Sequence, residues 1–232
     1  MALRLSVIIT AAGSSERFNA ENPNGLKKEF AEYSGHSVLY HACIPFLNRE
    51  DVVAVFVTYK AGTKDETRKA LENLTEQKKV PFFLVEGGAT RQESVYNALH
   101  TLYTMNENLN SNCVCIHDGA RPFVTDKLIS DTVNAAMTVG GAIPVLKVTD
   151  TLVNVDFDGF IQGSVDRKKV CRVQTPQVFA FPQIYEAHES ARLKLNNSYT
   201  DDAQIFRDYG YKVITVDGLE ENVKITYAKD LK

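Results

Sequence analysis

Apolar residues fall along this chain in two alternating rhythms. Short, nearly continuous apolar runs occupy residues 5–11, 51–58, 82–85, 112–117 and 141–148. Runs of this kind, rich in β-branched side chains, suit strands of a parallel sheet covered on both faces. Helical spacing fills the intervals. Val95, Ala98, Leu99, Leu102 and Tyr103 recur at i, i+3, i+4, i+7 and i+8. Leu128, Ile129, Val133, Ala136 and Met137 form a second helical face, with Asp126 as its expected N-cap. Residues 37–48 also read as a helix, which Pro45 should weaken or bend. Strands separated by helices predict a βαβ series, hence an α/β fold with a doubly wound, mostly parallel sheet.

The rhythm changes after Val148. Residues 149–173 hold two short alternating stretches around Asp156, Phe157, Asp158 and Gly159, and Asp-Gly between such stretches signals a β-hairpin. With no helical pattern to cover it, this hairpin reads as a projecting arm. Its apolar side chains need a surface, either a second subunit or its own domain folded back. Helical patterns resume at 182–195 and at 200–209, where Thr200 is the expected N-cap, and 212–216 reads as a late strand. The 232 residues read as one domain with the arm inside it, and the few residues after Thr226 leave no room here for a second enzymatic unit.

Composition narrows the function classes. An apolar content of 44% is enough to fill a proper core. With 26 basic against 29 acidic residues the formal charge is −3, which argues against a dedicated nucleic-acid binder but leaves room for small phosphorylated ligands. No apolar run approaches the roughly 18 residues of a membrane span. Arg4 followed by an apolar stretch faintly resembles a signal peptide, yet one basic residue is too little, and a buried first strand is the better expectation. Cys43, Cys113, Cys115 and Cys171 form no CxxC pair. Buried free thiols in a reducing cytoplasm are expected, with Cys113 and Cys115 pointing to one face. No His pair stands at zinc-ligand spacing.

Four polar constellations follow strands. Ala11, Ala12 and Gly13 lead to Arg17 after the first strand; small residues let a backbone approach a ligand, although a tight turn with no ligand would look the same. Neither a P-loop nor a GxGxxG fingerprint is present. Lys28 stands eleven residues beyond Arg17, and the two could close over a polyphosphate or be plain surface cations. Gly87 and Gly88 precede a helix carrying Ser94 in its first turn, where a hydroxyl meets a ligand or serves as a cap. His117, Asp118 and Arg121 follow another strand. Asp118 could hold Mg²⁺ or orient a hydroxyl and Arg121 could grip a phosphate, or the two could simply close a turn. Thr151, Arg167, Thr175, Thr200 and Lys224 are weaker candidates individually.

In their order and spacing these residues resemble the 2-C-methyl-D-erythritol 4-phosphate cytidylyltransferase family. The resemblance runs through Ala11–Gly13, Arg17, Lys28, Gly87-Gly88, Arg91, Ser94, His117–Pro122, Asp150-Thr151, Val165–Arg167, Thr175–Gln177, Thr200 and Asn222–Thr226. It implies a Rossmann-like nucleotidyltransferase fold, with the arm exchanged in a cytoplasmic homodimer. It also implies a Mg²⁺-dependent reaction of CTP with methylerythritol phosphate that gives a CDP-alcohol and pyrophosphate in non-mevalonate isoprenoid synthesis.

By the same resemblance, Ala11, Ala12 and Gly13 hold the ribose and base region of CTP, and Gly87, Gly88 and Ser94 read the cytosine. Arg17, Lys28 and Lys224 surround the triphosphate as the catalytic cations. Asp118, Arg121, Thr151 and Lys224 meet the polyol phosphate, and Asp118 is the candidate metal ligand. Arg167 and Thr175 reach the neighbouring subunit's substrate, and Thr200 belongs to the same region. Departures from the family pattern are Ser15 for a common glycine, Ala89 for a frequent acidic residue, Cys171 near an expected tryptophan, and Lys27-Lys28-Glu29 for Pro-Lys-Gln, which leaves Lys27 as a second candidate for the catalytic lysine. Two other functions remain open: a ribitol 5-phosphate cytidylyltransferase, and a non-catalytic nucleotide-binding protein on the same scaffold.

Overall fold

A computed structural model describes residues 2–21, 27–72, 74 and 80–231. The first strand, β1 (Leu5–Ala11), leads into helix α1 (Glu16–Glu21) and, further on, a 3₁₀ turn at Lys28–Phe30. A minimal hairpin, β2 (Glu32–Tyr33) and β3 (His36–Ser37), precedes α2 (Val38–Leu47). Then come β4 (Val52–Tyr59), α3 (Lys64–Ala70), β5 (Phe82–Glu86), α4 (Arg91–Leu109), β6 (Cys113–Asp118), α5 (Asp126–Val139) and β7 (Gly141–Lys147). The arm is β8 (Leu152–Val155) and β9 (Ile161–Val165). After it follow β10 (Cys171–Val173), β11 (Gln177–Ala180), α6 (Gln183–Leu193), α7 (Asp202–Asp208) and β12 (Ile214–Asp217).

The main sheet runs β10-β7-β11-β6-β1-β4-β5, with β12 also paired to β7. Its heart is parallel, as the continuous apolar runs predict: β1 pairs β4 and β6, and β4 pairs β5. The sequence did not announce the other half. There β11 is antiparallel to both β6 and β7, and β10 is antiparallel to β7. Strands that return from the arm must run backwards, so the arm is also what makes the sheet mixed.

Period-two alternation sorts each strand between two cores. Leu5, Val7 and Ile9 of β1, with Cys113 and Cys115 of β6, face α2 and α5 through Leu39, Phe46, Ile129 and Val133. Ile8, Phe56, Val114 and Ile116 face the opposite layer, where α4, α6 and α7 supply Leu99, Leu102, Ile184 and Phe206. Helices on both faces make the fold doubly wound. The shared face expected for Cys113 and Cys115 is observed, and Cys43 is buried too, but Cys171 is exposed because β10 lies on an open part of the sheet.

Three local expectations shift. Thr125, not Asp126, caps α5, its hydroxyl accepting the Leu128 N–H at 3.2 Å. Asp201, not Thr200, caps α7 by accepting the Gln204 N–H at 2.9 Å. In each case adjacent residues are both good caps, and sequence alone does not choose between them. Pro45 sits inside α2 without ending it, and Ser37 caps that helix.

The arm is a hairpin of its own, β8 antiparallel to β9, outside the main sheet. Its turn is held by Asp156, whose carboxylate accepts the N–H groups of Asp158 and Phe160. Val155, Phe157, Phe160 and Ile161 are exposed along it. Of the two sequence readings, folding back onto its own domain is not what the protomer shows.

Packing between β7 and the α7 layer gives a stability prediction. A Cβ on Gly141 would lie 3.0 Å from the Phe206 ring and 3.1 Å from that of Phe179. Gly141→Ala should therefore cost about 1–3 kcal/mol through overpacking. Denaturant unfolding should show a lower midpoint at an unchanged m-value.

Candidate active site

The carboxyl ends of β1, β4, β5 and β6 point the same way, so the loops that leave them meet at one edge of the sheet. There they enclose a cavity of about 620 Å³. Ala12, Gly13, Arg17, Lys28, Gly88, Ser94, Asp118 and Lys224 all line it, joined by Lys60 and Arg91. A third, small apolar cluster ties these loops together from below: Phe18, Ala31, Val38, Ala120 and Ile225. Residues far apart in sequence are thus held as one floor.

Asp118 is the centre of charge. It is 5% exposed, at the end of β6. Lys224 Nζ lies 2.8 Å from its Oδ2, Arg121 Nε 3.5 Å from the same oxygen, and Arg91 Nε 3.6 Å from Oδ1. Thr10 donates its hydroxyl to Oδ1 at 3.3 Å. Burial pushes this carboxyl up, but the charges of Lys224, Arg91 and Arg121 outweigh it and hold the group well below the usual carboxylate range. Asp118 therefore stays ionised.

Beneath Asp118 runs a polar chain. The Asp118 N–H donates to Thr175 Oγ1 at 3.1 Å, and Thr175 Oγ1 is 3.0 Å from His117 Nδ1. His117 Nε2 faces the Arg121 carbonyl at 3.0 Å. A carbonyl only accepts, so Nε2 carries the proton, and Nδ1 accepts from Thr175. Burial lowers the His117 pKa to about 4, which keeps the ring neutral. The C-terminal segment is stitched to the same place. Arg121 donates to the Asn222 carbonyl at 2.7 Å, Asn222 donates to the Thr175 carbonyl at 2.8 Å, and the Ile225 N–H donates to Ala120 O at 2.8 Å. These bonds carry Lys224 over Asp118.

Arg91 opens α4 and bridges outward: its NH1 lies 2.8 Å from Asp202 Oδ2 at the start of α7. Asp202 is fully buried and also meets His188 Nε2 at 3.1 Å. This bridging role was not read from the sequence, and neither was Lys60; a cation one residue past the end of β4 is the signal that could have found Lys60, while Arg91 was visible only as a motif residue at the first position of a helix.

The two lysines differ in place. Lys27 is 8% exposed and donates to the Ala11 carbonyl at 2.6 Å, below the nucleotide loop. Lys28 faces the cavity. Burial lowers its pKa, Glu29 and Asp118 raise it, and Lys224 and Arg17 lower it. Ser15 takes the left-handed φ of +57° and bonds Glu29.

Ala11 and Gly87 sit just under the cavity wall. Ala11 is 2% exposed, and a Cβ on Gly87 would meet that of Ala12 at 2.4 Å. The backbone must pass so close there that only glycine fits. Ser94 Oγ accepts the Gly88 N–H at 3.0 Å and donates to the Thr90 carbonyl at 2.8 Å, so it shapes the Gly87-Gly88 turn. The acidic position occupied by Ala89 is met differently: its N–H donates to Glu93 Oε2 at 2.8 Å.

Other expected residues are not gathered here. Thr151 and Arg167 are exposed at the root of the arm, where Arg167 donates to the Thr149 carbonyl. Thr200 is exposed before α7. Thr175, expected to reach a neighbour, is buried in its own chain's site, because it precedes β11, which inserts directly beside β6.

Glu16 and Glu29 join Asp118 on the cavity lining, yet among the described residues no three His, Cys, Asp or Glu side chains come together as a metal cage. With Lys224 on Asp118, this donor set does not build a resident metal site. Magnesium binds readily through one carboxylate plus substrate phosphates, so a metal would have to arrive with a nucleotide.

The family model for 2-C-methyl-D-erythritol 4-phosphate cytidylyltransferase matches residues 5–232. The chain belongs to that family. A 2-C-methyl-D-erythritol 4-phosphate cytidylyltransferase of Clostridium novyi (strain NT) is 34% identical over 226 residues, 97% of this chain and 92% of that protein. A bifunctional enzyme IspD/IspF of Bartonella tribocorum is 32% identical, and the chain spans 55% of its length. The crystal structure of the 4-diphosphocytidyl-2C-methyl-D-erythritol synthase from Anaerococcus prevotii DSM 20548 superposes with a TM-score of 0.82 at 29% identity, covering 99% of this chain and 93% of that one. Within this cytidylyltransferase family member, the cavity combines a small-residue loop after β1 with cations from five separate segments: Arg17, Lys28, Lys60, Arg91 and Lys224.

The buried imidazole makes a pH prediction. Between about pH 6.5 and pH 4 the unfolded chain takes up a proton at His117 that the folded chain does not. Stability conferred by the neutral ring is therefore full above the unfolded pKa and lost as pH falls through the folded one. The depressed Asp118 carboxyl adds a loss in the same direction at more acidic pH. His117 alone should account for about 3 kcal/mol across its window. Denaturant titrations at several pH values should show a flatter slope for His117→Gln than for the parent.

Proposed function

We propose that this chain transfers a cytidylyl group from CTP to 2-C-methyl-D-erythritol 4-phosphate, releasing pyrophosphate, as a step of non-mevalonate isoprenoid synthesis. The observation that carries the reading is the cation-lined cavity around Asp118, in a chain matched to the family across residues 5–232.

The chemistry fits the residues. An oxygen of the acceptor phosphate attacks the α-phosphorus, the α–β phosphoanhydride bond breaks, and pyrophosphate leaves with the electron pair. A phosphomonoester's second pKa is near ~6, so the nucleophile is already ionised at neutral pH and needs no general base. The barrier is electrostatic, an anion approaching a polyanion, and fixed cations lower it. Arg17, Lys28 and Lys60 line the nucleotide side of the cavity, while Lys224 stands between the cavity and Asp118. Asp118 holds the Lys224 ammonium in place at 2.8 Å. Mg·CTP is the substrate form we propose: a Mg²⁺ ion arriving with the nucleotide would neutralise phosphate charge, and Asp118 is the carboxylate on the cavity lining that would help hold it. Ala12, Gly13 and Gly88 present backbone to the nucleoside.

We also propose a cytoplasmic homodimer. Exposed Val155, Phe157, Phe160 and Ile161 on the arm need cover, and exposed Thr151 and Arg167 at its root do not line their own cavity, which supports assigning them to the partner's acceptor. Among the described residues no helix is long and apolar enough to cross a membrane.

Pyrophosphate release with CTP and Mg²⁺ should occur with methylerythritol 4-phosphate and not with ribitol 5-phosphate at equal concentration. Preference for ribitol phosphate would overturn the acceptor assignment, and CTP binding without turnover on either would overturn the catalytic one. Lys28→Ala should lower kcat on the order of 10²–10³-fold. Lys27→Ala, which removes a support under the loop, should cost less; the reverse order would exchange the roles of the two lysines. Mixing Lys28→Ala with Arg167→Ala protein should restore activity that neither has alone, since one site of a mixed dimer is then intact.

A further inference from the structure

The loop after β1 and the turn that carries Lys28 are joined by a side-chain bond that the transfer chemistry does not use. Ser15 Oγ lies 3.1 Å from Glu29 Oε2. The two residues are 9% and 2% exposed. Burying a carboxylate is costly unless it is hydrogen-bonded or paired, and the Ser15 hydroxyl is a bond that the loop itself supplies. A non-glycine residue at φ +57° is uncommon outside Asn and Asp. At this position a serine is held in a conformation that would suit glycine, with its hydroxyl engaged by Glu29 at the cavity lining.

The geometry around Lys28 gives the bond a purpose. The Lys28–Phe30 segment is a 3₁₀ turn, in which successive side chains fan out by about a third of a turn. Lys27 is buried away from the cavity, Lys28 lines it half-exposed, and Glu29 is buried at its edge. Lys27 Nζ donates to the Ala11 carbonyl at 2.6 Å. Residues on either side of Lys28 are thus fastened to the same loop, one at Ala11 and one at Ser15. Arg17 leaves that loop two residues after Ser15 and lines the same cavity.

We propose that Ser15 and Glu29 form a latch that fixes the Lys28 ammonium against the nucleotide loop, making both positioning residues for the transfer step. The inference rests on the assignment of Lys28 to cytidylyl transfer. Glu29 contributes charge as well as geometry: burial lowers the Lys28 pKa, and Glu29 is the largest influence raising it.

The test compares Ser15→Ala, Glu29→Ala, Glu29→Gln and the Ser15→Ala/Glu29→Ala double variant. Glutamine keeps an oxygen that accepts the Ser15 hydroxyl; alanine does not. The latch requires Ser15→Ala and Glu29→Ala each to lower kcat on the order of tenfold through misplacement of Lys28. KM for methylerythritol phosphate should be unchanged, Glu29→Gln should recover most of the loss, and the double variant should be no worse than Glu29→Ala. Unchanged kcat in Ser15→Ala, or losses that add in the double variant, would overturn it. If Glu29→Ala fails to fold, Ser15→Ala and Glu29→Gln still separate the outcomes.

A second readout needs no substrate. Amide hydrogen exchange over residues 13–17 in the nucleotide-free protein should quicken in Ser15→Ala and stay close to the parent in Glu29→Gln, at equal global stability. Unchanged exchange in Ser15→Ala would sink the latch even in an active enzyme. Quickened exchange in a protein that transfers nothing would instead sink the proposed reaction and leave the latch standing.

Discussion

One buried carboxylate organises this molecule's working edge. Asp118 is 5% exposed, and an ionised group there has lost most of its water. What replaces the water is charge from three places: Arg91 at the start of α4, Arg121 in the loop after β6, and Lys224 in the C-terminal segment. Two of these cations are in turn held by something else, Arg91 by Asp202 and Arg121 by the Asn222 carbonyl. Removing one partner from such a cluster leaves charge buried without compensation, which generally costs far more than the pair contributes when intact. The arrangement ties the loop after β6, the start of α4 and the C-terminal segment to one point.

The same arrangement suits the proposed transfer. A polyphosphate needs positive charge that does not have to be gathered at the moment of reaction. Here the cations are set in advance by a carboxylate, by a floor of five apolar side chains, and by buried bonds between loops. Asp118 therefore acts through the cations it arranges. Its neighbour His117 does comparable work from below: a neutral ring passes a fixed hydrogen-bond direction from the Arg121 carbonyl to Thr175 and so to the Asp118 backbone.

Much of this was legible in the residues. The parallel half of the sheet, its two helical layers and the arm followed from apolar periodicity and one Asp-Gly turn, because those features depend on local spacing. Lys28, Lys224, Asp118 and the small-residue loop were found because each lies directly beyond a strand or in a recognisable string. The antiparallel half was not legible, since nothing local tells Gln177–Ala180 to insert between β6 and β7. Thr175 was misplaced for that reason. The caps at Thr125 and Asp201 went to neighbours of equal propensity. Arg91 was visible as part of a motif, but its bridge to Asp202 spans from α4 to α7 and exists only in the folded chain.

The late position of Lys224 has a consequence for how the protein is made. A chain emerging from the ribosome presents β1, β4, β5 and β6 early, and Asp118 with them, while the stitch between Arg121 and Asn222 has to wait for a residue 101 positions further along. Domains fold as synthesis proceeds. Until that residue emerges, the nascent protein can carry the parallel half of its sheet and an unfinished charge cluster. The final segment closes that cluster, so the catalytic edge is completed only when the rest of the scaffold already stands.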